Sequence, residues 1–145
     1  MSAPTYCRFP ARHLTPRQDL YFYRDRTIAL LRRYFQMAID LGRLPSLLGR
    51  EFFRAKVTSY KRTSFEDSVI FVHDIERCFE ALDEFSQILI ARIVLQNYTQ
   101  EEAAALLGCT DRSIRRNFPE AIDELTALFL DRRILVSLPK HSACQ

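Results

Sequence analysis

The sequence predicts an all-α fold, a helical bundle, on three observations. Glycine is scarce, with three in 145 residues. Apolar residues recur at helical spacing along most of the chain. Capping and stop residues fall where those periodic runs begin and end. With 48% apolar residues, the chain can bury one core of normal size or two small helical units.

Residues 1–14, with Pro4, Pro10 and mixed charge, read as a mobile lead-in. Thr15, Pro16 and Gln18 then supply an N-cap, a first-turn proline and a capping partner, so a long helix is expected to follow. Its apolar stripe reads Ile28, Leu31, Phe35, Ala38 and Ile39, and Gly42 and Pro45 stop it. Tyr21, Phe22, Tyr23, Tyr34 and Phe35 stand among arginines; at helical spacing such rings are expected mainly in the core, and otherwise they suit stacking on unpaired bases. Leu44 to Thr63 reads as a short helix followed by an irregular or extended piece. Ser64 with Asp67 begins another helix, with Phe71, Ile75, Cys78, Phe79 and Leu82 on one face. Asp83 caps the next, which carries Phe85, Ile88, Leu89, Val94 and Leu95.

The run from Tyr98 to Phe118 is the most informative in the chain. Thr99 stands three residues before Glu102, the spacing of a capping box, so a helix starts at Gln100. Ala103, Ala104, Leu106 and Leu107 give it an apolar face, and Gly108 ends it with a left-handed turn. Thr110 caps the following helix. Ile114 and Phe118 anchor that helix, while Arg112, Arg115 and Arg116 lie on its other faces. Two helices joined by a short turn, with guanidinium groups on the second, match the pattern of a helix-turn-helix whose second helix enters the major groove. The same residues also suit an ordinary helical pair with a solvated arginine face.

On these residues, the segment from about Asp74 to Leu130 resembles region 4 of bacterial sigma factors. Ile75 to Asp83, Phe85 to Leu95 and the Tyr98–Gly108 run carry the likeness, which covers under half of the chain. The resemblance implies binding to double-stranded DNA at promoters, and possible contact with RNA polymerase. It makes Arg112, Ser113, Arg115 and Arg116 the expected DNA-contacting residues, with Thr99, Gln100 and Thr110 at the helix starts near the phosphates. Residues 1–73 carry no match to the family's region 2, and the same motif occurs in stand-alone regulators, so the likeness points to a domain more than to a role. Pro119 falls where the family continues its second helix. A kinked or short recognition helix is therefore expected, or a fresh helix capped by Asn117 with Glu120 and running to about Leu130.

Net charge is +3, distributed unevenly. Residues 1–62 hold thirteen basic and four acidic side chains, a net +9, which leaves −6 for the remainder. The basic half either adds phosphate contacts, packs against the acidic half, or presents a solvated face. Use of that half to bind RNA is a further alternative. The expected organisation is a lead-in at 1–14, a basic helical region at 15–63, a sigma region 4-like domain at 64–138, and a tail at 139–145.

No nucleophile, base and orienting acid fall together, and no glycine-rich phosphate loop occurs, so an enzyme is not expected. Cys7, Cys78, Cys109 and Cys144 are unpaired in spacing with each other and with His13, His73 and His141; free thiols, no metal and no cofactor are expected. No apolar run approaches the ~20 residues of a membrane span, and the first residues lack a signal core, so a cytoplasmic location is expected. Nothing in the sequence indicates an oligomeric state.

Overall fold

The computed structural model describes residues 18–42 and 65–137. All regular structure among these residues is helical. The Thr15 cap, the segment from Leu44 to Thr63, Ser64 and the tail lie outside the described residues.

The first helix does not begin as one smooth α-helix. A 3-10 stretch, Gln18–Tyr23, leads into α1, Arg24–Asp40. Three residues per turn bring Leu20 and Tyr23 to one side; Tyr23 is buried, whereas Tyr21 and Phe22 stand out from the surface. The expected aromatic cluster is thus divided, with only Tyr23 and Tyr34 fully inside. The buried stripe of α1 is Thr27, Leu31, Tyr34 and Ala38. Ile28 and Phe35, expected at its centre, pack on its flank. The Thr27 hydroxyl meets that of Thr126 at 2.7 Å, so a threonine sits in the core without an orphaned group. Gly42 follows with φ 68° and donates its N–H to the Ile39 carbonyl.

Helix α2, Phe65–Glu80, buries Val72, Ile75, Cys78 and Phe79; Phe71 is only half-buried. Asp83 starts α3, Glu84–Ile90, by accepting from the Ser86 N–H at 3.2 Å and the Ser86 hydroxyl at 2.7 Å. The helix then widens into a π-turn, Ala91–Leu95, with the Gln96 N–H on the Ala91 carbonyl. Ile90, Ala91, Val94 and Leu95 are all buried along it. Asn97, at φ 57°, closes it; asparagine tolerates that region better than most residues.

Helices α4, Gln100–Leu107, and α5, Asp111–Asp131, complete the chain. The expected break at Pro119 is absent: α5 runs through it for 21 residues. Asn117 caps no new helix, and its side-chain amide donates to the Ser113 hydroxyl at 3.1 Å. Pro119 is the ninth residue of α5, in its third turn, where loss of the donor to the Arg115 carbonyl falls on a half-buried position.

Helix α5 packs against every other helix, and its Ala121, Ile122, Leu125 and Phe129 form the floor of one core with α1, α2 and the π-turn. A smaller cluster of Phe85, Leu89, Ala104 and Ile114 joins α3, α4 and the start of α5, with Phe118 touching both clusters. After α5, Ile134 and Leu135 fold back onto the main core.

Candidate nucleic-acid interface

Both halves of the α4–turn–α5 unit are set by local hydrogen bonds. The Thr99 hydroxyl accepts from the Glu102 N–H at 3.2 Å, and the Glu102 carboxylate accepts from the Thr99 N–H at 2.9 Å, the reciprocal capping box expected from their spacing. Ala103 and Ala104 are buried, and Ala104 packs in one cluster with Ile114 of α5. Gly108 adopts φ 64°, and the N–H groups of Gly108 and Cys109 return to the carbonyls of Ala105 and Ala104. That pair of bonds is a Schellman closure. The Thr110 hydroxyl accepts from the Ser113 N–H at 3.2 Å and starts α5.

One expected apolar position differs. Leu106 is 56% exposed, although Ala103, Ala104 and Leu107 face inward to differing degrees. The helix is only eight residues long, with Ala103 and Ala104 as its buried residues.

Buried Ile114 fixes the rotation of α5, and this places Arg112, Arg115 and Arg116 at the surface. Arg112 and Arg115 make no ion pair among the described residues. Arg116 has its Nε 3.8 Å from a Glu120 oxygen, but both side chains are more than half exposed, and a contact of that kind is worth little. Ser113 is half-buried and accepts from Asn117. Thr99 and Thr110 are exposed with their hydroxyls committed to caps; Gln100 is half-buried at the first position of α4. The three arginines thus share one side of α5, with Thr110 and Ser113 at the start of the same helix, whereas Thr99 and Gln100 stand at the start of α4.

Arg92 was not singled out by the sequence reasoning. It donates to the Gln96 side chain at 2.9 Å and lies 6.0 Å from the centroid of the Tyr98 ring, bracing the strand of chain that enters Thr99. Its four-residue spacing from Gln96 was the available signal.

The surface is electrostatically mixed. Glu101, Glu102, Asp111 and Glu120 share the unit with the three arginines. Farther along α5, Arg24 of α1 forms a bidentate pair with Asp123, at 2.7 and 2.6 Å; the hydrogen bond to Asp123 raises the guanidinium pKa. One cation of the basic half is therefore offset by the acidic half, while Arg26, Arg32 and Arg33 remain exposed, Arg33 over the Phe71 ring.

Among the described residues, no three His, Cys, Asp or Glu side chains gather as a metal site, and no helix is long and apolar enough to cross a membrane. Neither Cys78 nor Cys109 is in a disulfide; Cys78 is buried, which pushes its thiol pKa up. His73 is exposed beside Asp74. Comparison with family models, with characterised proteins and with solved structures finds no match to this chain.

Proposed function

We propose that this chain is a sequence-specific DNA-binding transcription regulator or sigma-like factor that acts at promoters in the cytoplasm, without catalysis or a cofactor of its own. In this reading α4 and α5 are a helix-turn-helix of the sigma region 4 type. The N-terminal half of α5 enters the major groove, and α4 rests across the backbone. The observation that carries it is the arginine row: Arg112, Arg115 and Arg116 are exposed on the opening turns of a helix whose start is fixed by Gly108 and Thr110. Guanidinium groups so placed suit paired hydrogen bonds to guanine edges.

Selection of bound sequences from a random duplex pool tests the reading. A recovered consensus is expected, and Arg115→Ala should weaken binding to it by ~1–3 kcal/mol if that side chain reads a base. Unchanged binding of Arg112→Ala and Arg115→Ala proteins at moderate salt would remove the proposal.

A second reading is an interaction module that binds RNA polymerase or a regulatory protein, with DNA secondary. It is favoured by the seven carboxylates of α4 and α5, against three arginines, and by the net −6 after residue 62. Polymerase pull-down run beside gel shifts separates the two: polymerase retention with no DNA retention selects the module.

A further inference from the structure

We infer, resting on the major-groove reading of α5, that Asp111 is a specificity-determining residue: its carboxylate accepts from the amino group of a cytosine close to the guanine taken by Arg115. Three other carboxylates of α4 and α5 are engaged within the chain. Glu102 accepts from the Thr99 N–H, a Glu120 oxygen lies 3.8 Å from the Arg116 Nε, and both oxygens of Asp123 hold the Arg24 guanidinium. Asp111 is exposed and makes no hydrogen bond or ion pair with any described residue. The helix start does not use it as a cap, because the Thr110 hydroxyl already accepts from the Ser113 N–H.

Arg115 follows Asp111 by four residues on the same helix, which sets the two side chains one above the other. An acid and an arginine at this spacing can pair, as Arg116 and Glu120 approach each other one turn farther on. Asp111 and Arg115 do not pair, so a carboxylate and a guanidinium stand open on one side of α5. Four residues rise about 6 Å along a helix, and successive bases of a strand rise about 3.4 Å. The two groups therefore face base edges within about two steps of each other.

The chemistry of the groove selects the base. A carboxylate only accepts hydrogen bonds, and it is repelled by phosphates, so on a DNA-facing helix it must meet a donor. Guanine presents two acceptors in the major groove and thymine an acceptor beside a methyl group. Adenine offers an amino group, but with the acceptor N7 next to it. Cytosine offers its amino group with no neighbouring acceptor, and is the base a carboxylate suits. At any other base the carboxylate is left without a partner, which penalises the wrong sequence. Asp111 thus narrows the choice of site while lowering affinity for DNA in general.

The test uses the full chain, as wild type, Asp111→Ala, Asp111→Asn and Arg115→Ala, in selection from a random duplex pool followed by titration of single duplexes. The wild-type consensus should hold a cytosine within about two base pairs of the guanine whose preference Arg115→Ala removes. Replacing that cytosine should weaken wild-type binding about tenfold, whereas Asp111→Ala should bind the original and altered duplexes alike and should bind random duplex more tightly than wild type does. Asp111→Asn keeps the shape of the side chain but gains a donor, and should move the preference from cytosine toward adenine. A purely structural role at the helix start would instead weaken binding to every duplex in parallel and leave the base preference where it was, and that result overturns the inference. So does a consensus whose cytosine survives in both Asp111 variants, with the guanine preference of Arg115 still present; that outcome leaves the groove reading standing. A wild-type chain that yields no consensus removes the groove reading and this assignment together.

Discussion

Gly108 and Arg133 hold the same left-handed conformation with opposite chemistry. After α5, the N–H groups of Arg133 and Ile134 return to the carbonyls of Leu130 and Phe129, with Arg133 at φ 58°. This is the closure that Gly108 makes after α4, but with a side chain where glycine is favoured. A Cβ at Gly108 would meet no atom within 4 Å, so Gly108→Ala carries only the backbone penalty, about 1–2 kcal/mol. Arg133→Gly should have the opposite sign, raising stability by about 0.5–1 kcal/mol because glycine's larger unfolded entropy offsets part of the relief. Urea melts of both variants check the pair of signs. Cys78 adds a pH dependence. Burial raises its thiol above the ordinary 9.0, so the native chain keeps a proton that the unfolded chain has released. The stabilisation is complete below pH 9.0 and is lost as pH rises through the native value. In melts from pH 7 upward, the wild type should lose stability on the alkaline side more steeply than Cys78→Ala.

At the scale of elements, caps were legible and curvature was not. Thr99, Glu102, Gly108, Thr110 and Asp83 act through neighbours within a few residues, so their spacing alone placed four helix ends. Thr99→Ala and Glu102→Ala should each cost roughly 1 kcal/mol, and the double variant less than their sum, because the two bonds belong to one box. Pro119 shows the limit of local reasoning. Its local effect argues for a break, yet Ile114, Ala121, Ile122 and Leu125 on both sides of it are buried by the same helix. Core burial on either flank outweighs one missing donor. Pro119→Ala restores the N–H to the Arg115 carbonyl and should raise the melting temperature, by an amount corresponding to about 1–3 kcal/mol. A lower melting temperature would show that the proline ring's packing outweighs the restored bond.

For the molecule as a whole, α1 is joined to α5 by contacts 99 residues apart in sequence. The Thr126 hydroxyl donates to the Ile122 carbonyl at 2.7 Å. Its single proton is thereby used, which makes Thr27 the donor across the interface. Thr27→Val and Thr126→Val should each destabilise by about 1–2 kcal/mol. The double variant should cost less than the sum, since no polar group is then left without its partner. Equal additivity in urea melts would show that the pair is not coupled. The Arg24–Asp123 pair is partly exposed, at 30% and 24% of its side chains, and its main effect is to orient the start of α1 rather than to add much stability.

The sequence by itself determined the all-helical character of the described residues, the start and end of α4, the start of α5, and which side of α5 carries the arginines. These depend on periodicity and on hydrogen bonds between near neighbours. Only the tertiary structure decided that Thr27 is core, that Leu106, Tyr21 and Phe22 are surface, that α3 widens into a π-turn, and that α5 passes Pro119 unbroken. Each of these depends on what lies across the core from distant parts of the chain, where a partner hydroxyl or a shared apolar floor outweighs local preference.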